Sequence, residues 1–146
     1  MLIKALSRAH KADFANFRKF KLIIIGDGPE KARLSRLVKE ESLDDSVIFT
    51  GWRTDVKSLL SAIDIFVLPS FVEGAPLSLL EAMASGKTII ASNIPAIREI
   101  VEDGKEALLF DPQNPQQLKN LILTLYNNPK LREKLGENAR RKAKQY

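Results

Sequence analysis

Five short apolar runs constrain the fold: Leu22-Ile23-Ile24-Ile25, Val47-Ile48-Phe49, Ile65-Phe66-Val67-Leu68, Thr88-Ile89-Ile90-Ala91 and Ala107-Leu108-Leu109-Phe110. None alternates apolar with polar residues, so each reads as a strand covered on both faces rather than one with a wet side. Segments of helical character separate them. Residues 2–18 read as a helix. So does the stretch opened by Pro29, whose Ala32, Leu34, Leu37 and Val38 lie close to one face. A helix is expected over 55–62 with Thr54 as its cap. Another is expected over 76–84, with Pro76 in its first turn and Gly86 as its stop. A short helix over 94–102 and a turn at Asp103-Gly104 follow. Pro115 and Pro129 suit the first turns of two closing helices, 114–127 and 129–145. Strands that alternate with helices pair in parallel. The expected fold class is therefore α/β, a doubly wound, Rossmann-like parallel sheet with helices on both faces, in one domain over residues 1–146.

Such sheets bind ligands outside the carboxyl ends of their strands, which directs attention to loops 26–29, 50–54, 69–76, 91–94 and 110–114. Composition narrows the chemistry. With no cysteine, the chain has no disulfides, zinc–thiolate sites or thiol nucleophile, and it fits a reducing, cytoplasmic setting. The single histidine, His10, is expected on an exposed helical position and supplies neither a His-rich metal site nor a Ser-His-Asp triad. No apolar run approaches the ~20 residues of a membrane span, and no long apolar segment at the start suggests a signal peptide.

The formal charge is +5. Residues 130–146 hold seven Lys or Arg and two Glu, and residues 4–21 are basic around one acid, Asp13. A solvated helix face accounts for such runs; anionic lipid or a phosphorylated small molecule are the other readings. Nucleic acid is not expected, because no aromatics interleave the basic residues: Trp52 is alone, and only Tyr126 and Tyr146 lie near the last helix.

Gly26-Asp27-Gly28-Pro29 resembles the start of a dinucleotide-binding turn, but Lys31 stands where the third glycine belongs. A nicotinamide or flavin is therefore not expected. The glycines serve either a ligand edge or a plain strand-to-helix turn. Phosphate-loop and Gly-x-Ser-x-Gly patterns are absent. The most informative stretch is PSFVEGAPLSLLEAMASGKTIIAS, residues 69–92. Gly74, Ala75, Leu77 and Ser78 would offer amides at a helix start, where orphan N–H groups and the helix dipole favour phosphate. Glu73 lies beside that seat. Glu81 lies about 7–8 Å further along the axis at 1.5 Å per residue. Glu73 could instead complement the dipole, and Glu81 could be a plain surface residue. A carboxylate among Leu77, Leu80, Ala82, Met83 and Ala84 invites the ligand reading: sugar hydroxyls on Glu73, ribose hydroxyls on Glu81.

Taken together, Glu73 and Glu81 eight positions apart, KLIIIGDGPEKARLSRL, VIFTGW, LLSAIDIFVLPS and IREIVEDGKEALLFDPQNPQQL resemble, in order and over most of the chain, the C-terminal half of GT-B glycosyltransferases. The closest likeness is to the retaining family 4 enzymes, glycosyl transferases group 1. The resemblance implies a donor-binding domain for a nucleotide-diphosphate sugar, with transfer to an acceptor hydroxyl, retention of configuration and no metal or other cofactor. It implies that Glu73 touches the donor sugar as the catalytic residue, that amides around Gly74, Ala75 and Leu77 hold the diphosphate, and that Glu81 binds ribose. It further implies that Gly26, Gly28, Thr50, Gly51 and Trp52 flank the diphosphate and base. The family's first strand, its diphosphate-clamping Arg and Lys and its N-terminal acceptor domain have no match in this sequence. The chain by itself is expected to bind donor weakly and to transfer little. Without that strand, residues 22–25 and 65–69 either pair directly or leave a gap that another chain or a swapped element fills. The expected partners are the donor, the acceptor domain and a membrane surface met by the basic C-terminal helix. The alternatives are a non-catalytic nucleotide-sugar-binding or assembly subunit and, less favoured, a nucleotide-sugar epimerase.

Overall fold

In the computed structural model, residues 1–12 and 19–146 are described; the end of the expected 2–18 helix lies outside them. The chain divides into two compact units, Met1–Asp55 and Val56–Tyr146.

The first unit contains α1 (Leu2–Ala12), β1 (Leu22–Ile25), α2 (Lys31–Glu40) and β2 (Val47–Gly51). The two strands are parallel, pairing Leu22 with Val47, Ile23 with Ile48 and Ile24 with Phe49, before a slip sets Ile25 opposite Gly51. Helix α1 packs on α2 and buries Ile3, Ala5, Leu6, Ser7 and Ala9. The buried Ser7 hydroxyl donates to the Glu41 carboxylate at the end of α2. Lys11 adds a second donor to Glu41 at 2.9 Å. These bonds, the serine's first, hold the Glu41 carboxyl below its ordinary range. Helix α2 begins at Lys31 rather than Pro29, because Gly28 O accepts from Lys31 N at 3.1 Å and closes a turn ahead of it. His10 is half-buried near the end of α1, not exposed.

The second unit runs through α3 (Val56–Ala62), β3 (Ile65–Leu68), α4 (Leu77–Ala84), β4 (Thr88–Ser92), α5 (Pro95–Arg98), β5 (Leu108–Phe110), α6 (Pro115–Asn127) and α7 (Pro129–Lys142). A 3-10 turn, Ala143–Gln145, follows. Its sheet has the order β3-β4-β5, all parallel, with Leu68 beside Ala91 and Ser92 beside Phe110. Every residue of β4 is buried. The core around it takes Leu79, Ala82 and Met83 from α4, Ile97 from α5 and Ala139 from α7. Only β4 is covered along its full length. Strands β1 and β3 are half-exposed, since each has a strand neighbour on one side only among the described residues. The five strands thus form two sheets, β1-β2 in the first unit and β3-β4-β5 in the second.

Side chains close the helix ends. Asn114 and Asn128 accept from Gln117 N at 3.0 Å and Leu131 N at 3.1 Å, with Pro115 and Pro129 in the first turns as expected. Thr54 makes no such bond. Asp55 directly precedes α3, and its carboxylate is taken by Arg53 at 2.7 and 2.6 Å. Helix α5 is one turn rather than the expected 94–102. Beyond it, Glu106 accepts from Glu102 N at 2.9 Å, so a side chain stands in for a helical partner there, while Asp103 accepts from Leu109 N of β5 at 2.8 Å.

Helix α4 ends in a left-handed residue, Gly86, at φ +67°, with Lys87 N bonded to Ala82 O at 3.0 Å. Helix α7 crosses here with Gly136 against the Gly86 carbonyl. A Cβ on Gly136 would lie 2.4 Å from that oxygen. Thr88 fixes the same contact by donating to Arg132 O at 2.8 Å.

Two outcomes follow for stability. Alanine ordinarily favours a helix over glycine by about 1 kcal/mol, yet Gly136→Ala should lower stability in denaturant melts by ~1–3 kcal/mol, because backbone must move. A stability unchanged or raised would contradict the close contact. Ser7→Ala should cost about 1 kcal/mol at neutral pH. A depressed carboxyl contributes stability above its unfolded value, and that contribution is lost as pH falls below about 4.5 and through the folded value. The difference between wild type and variant should therefore shrink toward low pH in melts across the acid range.

Candidate functional site

Strand β3 delivers the chain at its carboxyl end to Pro69, and a loop carries it to α4. In this loop Ser70 Oγ donates to Glu73 Oε1 at 2.6 Å. The bond orients a half-buried carboxylate and leaves Oε2 without a partner among the described residues. Sequence reasoning did not single out Ser70. Its signal is a hydroxyl three residues before an acid in a tight loop.

Proline 76 stands just ahead of α4, at the cap position rather than in the first turn, and has no N–H to offer. The amides around it divide. Leu77 N donates to Ala75 O at 2.8 Å, and Leu79 N to Pro76 O at 3.0 Å. Gly74, Ala75 and Ser78 have no amide partner among the described residues. Leu77, expected as a donor, is thus already engaged, and three of the four expected amides stay open at a helix start with no acidic residue in its first turn. Glu81 is exposed on the outer face of α4, without a partner among the described residues, together with Leu77, 66% exposed, and Ala84. Ala82 and Met83, expected around it, turn into the core instead. Phe71 and Val72, 61% and 85% exposed, sit just ahead of Glu73 in the loop.

In the first unit, Gly26 and Gly51 meet at the carboxyl ends of β1 and β2. Gly26 N donates to Gly51 O at 2.9 Å, with φ at +113° and +67°. These are angles that glycine adopts without strain. Gly28 N is held by Asp27 Oδ1 at 3.0 Å. The Thr50 hydroxyl lies 3.3 Å from Ile24 O and 3.1 Å from Gly51 O, and so serves the backbone between the strands. Trp52 is 78% exposed. Lys31, which the sequence offered only as the residue that breaks a glycine pattern, pairs with Asp27 at 3.4 Å. Its ammonium reaches within 4.0 Å of where a Cβ on Gly51 would sit. Arg53 and Asp55 hold each other charged: their hydrogen bonds raise the arginine's pKa and lower the carboxyl's. Gly26, Gly28, Thr50, Gly51 and Trp52 therefore gather in one unit. Glu73, Gly74, Ala75, Leu77 and Glu81 gather in the other. No cluster of three or more His, Asp or Glu suited to a metal occurs among the described residues.

Comparison with known proteins adds a lineage. A family model described as "Glycosyl transferases group 1" matches residues 1–142. Over 135 residues, 92% of this chain and 34% of the relative, the sequence is 36% identical to N,N'-diacetylbacillosaminyl-diphospho-undecaprenol alpha-1,3-N-acetylgalactosaminyltransferase of Campylobacter jejuni. Over 120 residues, 82% of this chain and 32% of the relative, it is 33% identical to N-acetyl-alpha-D-glucosaminyl L-malate synthase of Bacillus anthracis. The chain spans about a third of the length of these relatives. Among solved structures, Anabaena Alr3699/HepE in complex with UDP-glucose superposes with a TM-score of 0.89 at 27% identity, covering 99% of this chain and 39% of that one. The C-terminal domain of a glycosyl transferase group 1 family protein, LpcC from Francisella tularensis, superposes with a TM-score of 0.79 at 28% identity, covering 99% and 79%.

Proposed function

The chain belongs to the glycosyl transferases group 1 family, and from that premise we propose that it is the donor-binding part of a retaining glycosyltransferase. The reaction would move a sugar from a nucleotide-diphosphate sugar to an acceptor hydroxyl. The observation that carries the reading is the trio of unpartnered amides at Gly74, Ala75 and Ser78, flanked by two carboxylates with open oxygens. The diphosphate sits on those amides, where the α4 dipole favours it. Glu81 accepts from the ribose hydroxyls. Glu73, held by Ser70, accepts from hydroxyls of the donor sugar through Oε2 and is the catalytic residue of the set. In the reaction the bond from the anomeric carbon to the diphosphate oxygen breaks, a bond from that carbon to the acceptor oxygen forms, and the acceptor's hydroxyl proton passes to the departing diphosphate. Charge gathers on the leaving diphosphate, so amides already aimed at it stabilise the transition state more than the ground state. No metal is required in this scheme.

The same reading assigns Gly26, Gly28, Thr50, Gly51 and Trp52 of the first unit to the diphosphate and base, and it rests there on family resemblance. The UDP-glucose in Alr3699/HepE supports a nucleotide donor. The diphospho-undecaprenol in the name of the Campylobacter relative supports a lipid-linked acceptor. Because the relatives are about three times as long, acceptor binding belongs to a further domain. The lack of cysteine fits a reducing compartment, so the reaction is assigned to the cytoplasm. The second reading, a non-catalytic nucleotide-sugar subunit, shares the binding steps and lacks transfer even when the acceptor domain is supplied.

Thermal melts with UDP-, GDP- and ADP-glucose test the proposal. Ligand at 100 times its dissociation constant stabilises by ~2.7 kcal/mol, or about 5–10 °C for a chain of this size. Glu81→Ala should abolish the shift while leaving the unliganded melt unchanged, because Glu81 has no partner to lose. Glu73→Gln should keep the shift and abolish transfer once the acceptor domain is added. No shift with any of the three donors would overturn the reading.

A further inference from the structure

We propose that the outer face of α7 is a docking surface for an anionic lipid bilayer. The first observation is where the charge lies. Residues 130–146 hold seven basic and two acidic residues, a surplus of five that equals the formal charge of the whole chain. Residues 1–129 balance, with sixteen of each sign. Within that balance, residues 4–21 hold six basic residues against Asp13 and are offset by residues 22–129, so the last helix is one of two basic ends, each with a surplus of five.

The second observation is how that charge is arranged. Helix α7 buries Leu135, Gly136 and Ala139 against the sheet. Lys130, Lys134, Arg141 and Lys144 recur at steps of four, seven and three residues, and so fall on one outer face, with Glu137 among them and Glu133 and Arg140 beside them. At 1.5 Å per residue the stripe is about 20 Å long. Two basic residues of the helix have internal work. Arg132 donates to Tyr126 O at 3.0 Å, and Lys142 lies 3.5 Å from the buried Glu106. Neither belongs to the stripe. Within it, Lys130, Lys134, Arg140 and Lys144 have no hydrogen bond or ion pair among the described residues, and Arg141 bonds only the neutral Asn138. Glu133 and Glu137 pair with none of them. Basic residues at a helix C-terminus complement its dipole, which accounts for Arg140 and Arg141. Lys130, in the first turn, opposes the dipole. Internal stability does not explain a stripe that continues to that end.

The third observation is shape. Arg140, Arg141 and Lys144 border a shallow, open cleft of about 290 Å³ with Glu137. An adjoining one of about 390 Å³ shares Arg141 and adds Lys105, Glu106, Asn138, Lys142 and Gln145. Open surfaces of this kind meet a plane of phosphates better than they enclose a single small ligand. No aromatic stands between the basic residues to stack a base, which favours lipid over RNA. No described helix is long and apolar enough to cross a bilayer, so the contact is peripheral and electrostatic.

Vesicle flotation of the 146-residue chain tests the proposal without any nucleotide sugar, so its outcome is independent of the donor reading. The chain should float with phosphatidylcholine vesicles containing 30% phosphatidylglycerol at low salt, stay behind with pure phosphatidylcholine, and detach as salt rises, since screening weakens exposed charge. Each stripe residue changed to glutamine should weaken binding about fivefold. Lys130→Gln, Lys134→Gln, Arg141→Gln and Lys144→Gln together should abolish it, with the thermal melt unchanged. A control carrying Arg8→Gln, Arg36→Gln, Lys39→Gln and Lys57→Gln removes the same charge from exposed, unpartnered sites elsewhere and should lose far less. Equal loss in both variants, no flotation of the wild type at low salt, or tighter retention on single-stranded RNA than on these vesicles would each overturn the proposal.

Discussion

Strand β4 is buried at every residue, and the second unit is organised around that fact. A strand covered on both faces needs a parallel neighbour on each edge and helices above and below. Strands β3 and β5 provide the first, and α4 and α7 take part in the second. The crossover from β3 to β4 runs through α4, which must return antiparallel to the strands. Its first turn is therefore set at the carboxyl end of β3, and its last turn must reverse at Gly86 to enter β4. The contact of Gly136 on the Gly86 carbonyl closes this arrangement. Position 86 needs a left-handed residue, and position 136 needs one without a side chain.

The chemistry at the other end of α4 is a product of the same geometry. A proline at the cap and a tight bond from Leu77 N to Ala75 O leave Gly74, Ala75 and Ser78 without amide partners. Unpaired amides at an exposed edge interact with water at little cost, and they become strong donors when a dianionic group excludes that water. Ser70 restrains Glu73 beside them, while Glu81 stands free on the outer face. The two carboxylates thus differ in kind. One is oriented by the loop before any ligand arrives, and the other is available because the core takes its neighbours Ala82 and Met83.

Much of the fold could be read in the apolar runs, because a run without alternation admits few packings. All five strands lie where those runs are. Burial was less legible. Strands β1 and β3 are as apolar as β4 but half-exposed, since coverage depends on neighbours a run cannot specify. Helix ends followed a similar rule. Asn114 and Asn128 act through local capping, which sequence spacing encodes. The early end of the helix after Pro95 goes with Glu106 reaching back to the Glu102 amide, which a periodic pattern does not reveal. At the site, the glutamate pair and the glycine turns were visible as residue types. The division among the amides was not, because it turns on one bond, Leu77 N to Ala75 O. Ser70 and Lys31 act through side-chain geometry and gave only faint signals.

The claim on which the account stands is that the open amides at the start of α4 receive the diphosphate of a nucleotide sugar. Backbone amide NMR during titration with UDP-glucose tests it residue by residue. The account predicts large, saturable shifts at Gly74, Ala75 and Ser78, and a smaller one at Leu77, whose N–H is already engaged. Saturable binding that leaves those three amides unmoved while others shift would contradict it.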